Sequence, residues 1–157
     1  MKTKLNISFI LLVLILFSCN KNLRYQNYLN EMEQSFTEKN YNNVEELVDF
    51  IINSNDADAS ELITSAYFQC LVYNEYSQEQ NLDLQTHYYY LNKIINIVNY
   101  SKSIDYNISL STSNLLKEKY SLDLISWTEI SETKLKEIDN TLEHQNSEFE
   151  LSDAPLD

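Results

Sequence analysis

Glycine is missing altogether from this 157-residue chain, and proline occurs once, at Pro155. Without glycine the chain cannot form the phosphate-cradling loop GxxxxGK[ST] or the nucleophile elbow GxSxG, which need a residue without a Cβ at fixed places. Tight β-turns also draw on glycine for their left-handed positions, so a β-rich architecture is disfavoured. Histidine is scarce: His87 and His144 are the only two, and neither lies in an HExxH pattern. The two cysteines, Cys19 and Cys70, are too far apart for a CxxC pair. Basic residues number 11 against 24 acidic ones, giving a formal net charge of −13. Such a surface repels phosphate backbones and anionic headgroups, so no nucleic-acid partner is expected and a cationic partner is favoured. No apolar run reaches the roughly 20 residues that a membrane-crossing helix requires.

The one greasy stretch stands at the start. Lys2 and Lys4 form a basic head, Ile7 to Phe17 are almost all apolar, and the run stops at Ser18-Cys19. A basic head followed by a short apolar run is the layout of a secretory leader. The residues Leu16-Phe17-Ser18-Cys19 resemble the lipobox of bacterial lipoproteins. There a branched residue three places before the cysteine, and a small residue just before it, precede the thiol. The resemblance implies that residues 1–18 are removed, that Cys19 carries a thioether-linked diacylglycerol, and that the new amine takes a further acyl chain such as palmitate. It also implies a place on a bacterial envelope membrane, inner or outer, facing the periplasm or the cell exterior. Losing Lys2 and Lys4 with the leader takes the formal charge from −13 to −15. Each buried acyl methylene contributes ~0.8 kcal/mol, so two or three chains anchor a protein without a spanning helix. The competing reading is an uncleaved span with an incidental cysteine, and the shortness of the run argues against it.

Beyond Cys19 the apolar residues fall at spacings of three and four, which predicts an all-α domain of five to six antiparallel amphipathic helices. Residues 19–24 read as a lipidated tether, 25–144 as the helical domain and 145–157 as a disordered acidic tail. The first stripe is Tyr25, Tyr28, Leu29, Met32 and Phe36, broken by Glu38-Lys39-Asn40. The second is Tyr41, Val44, Leu47, Val48, Ile51 and Ile52, ended by Asn53 to Asp56. Asp56 or Asp58 is placed to cap a third helix carrying Leu62, Ile63, Ala66, Tyr67, Cys70 and Leu71. Within that stripe Cys70 reads as a small buried apolar residue. After a polar loop over residues 77–81, Leu84, Tyr88, Leu91, Ile94, Ile95 and Val98 form the fourth stripe. Residues 101–107 read as a connection, and Leu110, Leu115, Leu116 and Tyr120 as a fifth helix. The sixth carries Leu124, Trp127, Ile130, Leu135, Ile138 and Leu142. Its seam of Leu124, Thr128, Ser131, Leu135, Ile138 and Leu142 is heptad-like with two polar members, which suits a face in a bundle better than a coiled-coil dimer.

Residues Phe36 to Ile52 resemble the middle of a tetratricopeptide repeat. Phe36 stands where an aromatic ends the first helix, and Tyr41, Val44 and Val48 stand where the second helix presents its packing residues. A shift of 34 residues, the period of that repeat, carries Tyr28 to Leu62, Met32 to Ala66 and Phe36 to Cys70. The glycine and proline of the repeat are absent, and residues 77–83 stretch the second unit. The architecture expected is therefore stacked helical hairpins, either tetratricopeptide-like or an irregular bundle. Either form buries one continuous core and leaves a groove or flat face for a partner.

No catalytic set stands out, and neither enzymatic activity nor a cofactor is expected. The acid pairs Glu45-Glu46 and Glu129/Glu132 suit exposed helix faces. The run Tyr88-Tyr89-Tyr90 holds the strongest candidates for binding. Successive helical positions point about 100° apart, so with Tyr88 on the core stripe Tyr89 and Tyr90 are expected at its boundary or outside. Exposed aromatics are favoured interface anchors, and Tyr76 and Trp127 are their candidate neighbours. Two functions fit. The first is a lipid-anchored envelope protein whose acidic helical domain binds another protein. The second is a lipoprotein immunity factor or inhibitor that neutralises a basic toxin at the membrane.

Overall fold

A computed structural model describes residues 23–79 and 82–152 of the chain. The leader (1–18), the acylation candidate Cys19, the start of the tether and residues 153–157 lie outside the described residues, as do the side chains of Leu142 and His144. The protein is all-helical. Six helices follow one another: α1 (residues 23–37), α2 (Tyr41–Ile52), α3 (Ala59–Glu79), α4 (Leu84–Ile104), α5 (Tyr106–Tyr120) and α6 (Leu124–Ser152). No strand occurs among the described residues.

Asparagine, aspartate and serine delimit these helices where other chains use glycine. Asp58 caps α3 by accepting from the backbone N–H groups of Ser60 and Glu61, both at 3.0 Å. Glu61 reaches back to the Asp58 N–H at 3.0 Å, completing a capping box. Asp83 caps α4 through Thr86 N at 2.7 Å, and Asp123 caps α6 through Ser126 N at 3.1 Å. Two helix ends require a left-handed residue, the position glycine usually fills. Here Lys39 (φ 56°) closes α1 and Ser121 (φ 59°) closes α5. At α1 the Asn40 N–H reaches Ser35 O at 2.8 Å while Lys39 N–H reaches Phe36 O at 3.0 Å, a Schellman closure made without glycine.

Helix α3 is the axis of the bundle. Every residue from Glu61 to Cys70 is buried, because α2, α4 and α5 all pack on it. The core joins Met32 of α1, Val44, Val48 and Ile51 of α2, Leu62 to Val72 of α3, Ile94 and Val98 of α4, Leu116 of α5 and Leu124 of α6. Each fully buried side chain of this size contributes roughly 1.5–3 kcal/mol. Tyr67 ties the α5–α6 turn to the middle of α3: its hydroxyl donates to Leu122 O at 2.7 Å and accepts from Leu122 N at 3.1 Å.

Several expectations are corrected. Residues 101–107 hold no loop. Asp105 alone joins α4 to α5, its N–H closing on Ser101 O and its carboxylate accepting from Ile108 N. The buried face of α5 is Ser109, Thr112, Ser113 and Leu116, while Leu115 is exposed. Small hydroxyl side chains let α5 lie close to α3 and α4. Their polar atoms return to nearby groups: Ser109 Oγ donates to Asp105 O at 2.7 Å, and Ser101 Oγ to Ala59 O at 2.7 Å. Ile130 is exposed, and Leu84 lies on the rim rather than in the core. Helix α1 begins at residue 23, inside the expected tether, and α3 runs on to Glu79. Helix α6 continues to Ser152, through residues assigned to the tail, since no glycine or proline interrupts it before Pro155. The α6 seam is packed as expected: Leu124, Thr128 and Ser131 are buried, and Leu135 and Ile138 are half-buried.

Candidate functional site

The four aromatics singled out in the sequence converge in space. Tyr90 is the centre. Its ring lies 5.4 Å from Tyr89, 6.0 Å from Tyr76 and 5.7 Å from Tyr73, centroid to centroid, and Tyr73 stands 5.9 Å from Trp127. Tyr73 also donates to or accepts from His87 Nδ1 at 2.9 Å. These rings come from α3, α4 and α6, so the cluster welds three helices together. Edge-on and tilted pairs of this kind contribute ~0.5–1.5 kcal/mol each beyond area burial.

Most of this cluster is interior. Tyr90 is only 8% exposed, which corrects its expected place at or outside the boundary. Tyr76, Trp127 and Tyr88 are half-buried, and Tyr89 alone is exposed, at 54%. The reason is that Tyr90 faces α3, where its ring packs on Tyr73 and Tyr76. Ile94 and Val98 of α4 join the same core as α3, and α2 contributes one side chain, Glu45, at the edge where Tyr90 lies. There the Tyr90 hydroxyl donates to Glu45 Oε1 at 2.7 Å. The same oxygen accepts from Gln69 Nε2 at 3.2 Å. Burial, then the bond to Glu45, raises the Tyr90 hydroxyl pKa well above its ordinary value. Gln69 Oε1 is buried without a hydrogen-bond partner.

The surface that remains open starts at Tyr89 and follows α4. Tyr89, Lys93, Asn96 and Tyr100 recur at spacings of four, three and four, on one stripe spanning about 16 Å at 1.5 Å per residue. Lys93 lies 5.6 Å from the Tyr89 ring centroid and pairs with Asp49 of α2 at 2.8 Å. Beside it a groove of about 320 Å³ opens between α2 and α4. Leu62 and Ile97 form its floor, Ile52 and Tyr100 its walls, and Lys93 and Asn96 its rim. A second hollow of about 450 Å³ adjoins it across Asn53, lined by Glu46, Asp49 and the exposed Phe50. The arrangement can bury one or two apolar side chains, hydrogen-bond through the asparagines and attract positive charge through Glu46, since Asp49 is paired with Lys93. It presents no histidine and no thiol. Among the described residues no group of three or more His, Cys, Asp or Glu side chains converges to hold a metal ion.

Sequence reading missed Lys93, Asn96, Tyr100 and Phe50. The signal was present, since the first three repeat with the same helical period as the core stripe, on the neighbouring face. Nothing in the sequence showed that the end of α2 would bring Ile52 and Asn53 to the same hollow. Cys70 is fully buried, as its apolar context predicted, and burial pushes its thiol pKa far up. No helix among the described residues is long and apolar enough to cross a membrane. Compared with protein-family models, with curated proteins and with solved structures, the chain matches none.

Proposed function

We propose that this chain is a lipid-anchored protein of a bacterial cell envelope, held by acyl chains on Cys19, whose α2–α4 groove binds a basic segment of another protein. The observation that carries this reading is an apolar floor, Leu62 and Ile97, beside the exposed ring of Tyr100 and next to a hollow lined by Glu46 and the exposed Phe50. Aromatic anchors around a small apolar pocket concentrate binding energy. A formal charge of −13 accelerates the approach of a cationic partner and sets the sign of the partner selected. The anchoring half of the reading is supported by the leader and the Leu16 to Cys19 motif alone.

Two experiments test the halves separately. Metabolic labelling with a fatty-acid analogue should mark the wild-type chain and not the Cys19→Ala variant; an unlabelled wild type refutes the anchor. For the groove, a photo-crosslinking side chain at position 100 should capture one protein through a Lys- or Arg-rich segment, with capture falling steeply at high salt. Equal capture from position 115, on the exposed face of α5, would refute the groove as the binding face. A captured partner that is a secreted toxin would turn the same groove into an inhibitory one.

A further inference from the structure

One end of the bundle gathers apolar side chains, four of which the groove does not use. Helices α1, α3 and α5 begin there, and α2 and α4 end there. Three contacts fix this arrangement. Arg24, near the start of α1, binds Glu61 in the first turn of α3. Ser101, near the end of α4, donates to Ala59 O at 2.7 Å and shares a 2.7 Å hydrogen bond with Ser109 of α5. Six of the ten exposed large apolar side chains among the described residues lie within a turn of this end: Leu23, Phe50, Tyr100, Ile104, Tyr106 and Ile108. Its carboxylates are already engaged. Asp56 and Glu61 bind Arg24, while Asp58 and Asp105 cap α3 and α5. An acidic protein therefore has, at this end, an apolar surface whose acids are paired or capping.

The chain outside the described residues decides what covers it. Cys19 precedes Leu23 by four residues. At ~3.3–3.6 Å per residue those four span about 14 Å at most. With acyl chains on Cys19, the start of α1 is held within that reach of the lipid. This end is therefore the part of the bundle held nearest the bilayer. We infer that this end is a bilayer seat, in which Leu23, Ile104, Tyr106 and Ile108 bed into the interfacial layer and hold the bundle upright on its anchor. The inference rests on the acylation of Cys19 proposed above. Isoleucine gains from the acyl boundary, and tyrosine sits at headgroup depth with its ring in the apolar layer and its hydroxyl in water. Zwitterionic lipid suits the seat, since an acidic domain repels anionic headgroups. Standing upright, the protein carries Leu84 about 30 Å from Ile104, as 20 residues of α4 rise at 1.5 Å each. The Lys93 end of the groove then faces away from the membrane and its Tyr100 end toward it.

A single fluorophore tests the seat. Cys70 is buried, and acylated Cys19 has no free thiol, so a cysteine introduced at Tyr106 or Leu84 is the reactive one. Full-length Tyr106→Cys and Leu84→Cys proteins are purified from host membranes, labelled with a nitrobenzoxadiazole dye and placed in phosphatidylcholine vesicles. Some of the lipid carries a nitroxide high on its acyl chains. The label at position 106 should brighten several-fold, shift to the blue and be quenched by nitroxide lipid, while the label at position 84 reports water. Adding Ile104→Ser and Ile108→Ser should return the first label to water while the protein stays bound through its acyl chains. Acylated, vesicle-bound protein whose label at 106 reports water overturns the seat and leaves the anchor intact. Equal quenching at 84 and 106 overturns the upright stance. Protein that carries no acyl chain by mass overturns the anchor and the seat together.

Discussion

Arg24 and Glu61, 37 residues apart, form a two-pronged ion pair: Nε donates to Oε1 at 2.7 Å and Nη2 to Oε2 at 2.8 Å. The Glu61 side chain is only 2% exposed, and Arg24 is the cation that balances it. A third prong runs from the same guanidinium to Asp56, and its Nη2 also reaches Asp56 O at 3.0 Å. The first turn of α1 is thereby pinned to the α2–α3 corner. Arg24→Ala should cost about 3 kcal/mol, because a buried carboxylate is left unpaired. Arg24→Lys should recover only part of it, since an ammonium cannot make the two parallel bonds. Urea unfolding midpoints measure the loss, and hydrogen exchange over residues 23–29 should quicken first. A full-strength Arg24→Ala protein would show the pin to be idle.

Tyr90 and Tyr89 should separate stability from binding. Tyr90→Phe removes the 2.7 Å bond to Glu45 and should cost about 1–2 kcal/mol. Tyr90→Ala opens a cavity among Tyr73, Tyr76 and Tyr89 and should cost about 3–5 kcal/mol. Tyr89→Ala, on the surface, should shift the denaturation midpoint very little yet weaken partner capture at the groove. Comparable destabilisation by Tyr89→Ala and Tyr90→Ala would contradict the placement of these rings.

Alkaline pH should unfold the protein through its tyrosines. Burial is the leading cause that raises Tyr67, Tyr73, Tyr76, Tyr90 and Tyr120 above the ordinary 10, with Tyr67 pushed up to about 12. A folded-state pKa raised above the unfolded one favours the protonated phenol. The stability it contributes is complete below pH 10 and is lost as pH rises from 10 through 12 and beyond. Phenolate absorbance at 295 nm should therefore show a late component that coincides with loss of helical circular dichroism. Complete phenol ionisation with the helices intact would refute the burial of these rings.

Glycine should improve two positions of this glycine-free chain. Lys39 and Ser121 hold left-handed backbone at φ 56° and 59°. The conformation costs a residue with a Cβ roughly 1–2 kcal/mol, of which glycine returns part through its larger unfolded-state entropy. Lys39→Gly and Ser121→Gly should each stabilise by about 0.5–1 kcal/mol, read as a higher urea midpoint. Destabilisation by both would mean that their side chains contribute more than the backbone strain removes.

Helix positions were legible from the chain itself because the signal is local. Apolar residues three and four apart mark the face a helix buries first, and Asp58, Asp83 and Asp123 stand where their side chains can cap the next turn. The want of glycine excluded tight hairpins in the same local way. Periodicity fails where a helix buries more than one face. The polar residues Thr64, Ser65 and Gln69 are buried only because α3 is enclosed by its neighbours. Ser101, Ser109 and Thr112 read as a loop or a solvated face until two helices close over them. Which of three consecutive tyrosines meets solvent was likewise set by the rings of α3 that pack on Tyr90. Sequence alone determined that this protein is a set of acidic amphipathic helices preceded by an apolar run over residues 7–17. Tertiary structure alone decided the Arg24–Glu61 pin, the burial of Tyr90 and the groove between α2 and α4. Each of these depends on which helix lies beside which, and the repeat of residues within one helix carries no record of its neighbours.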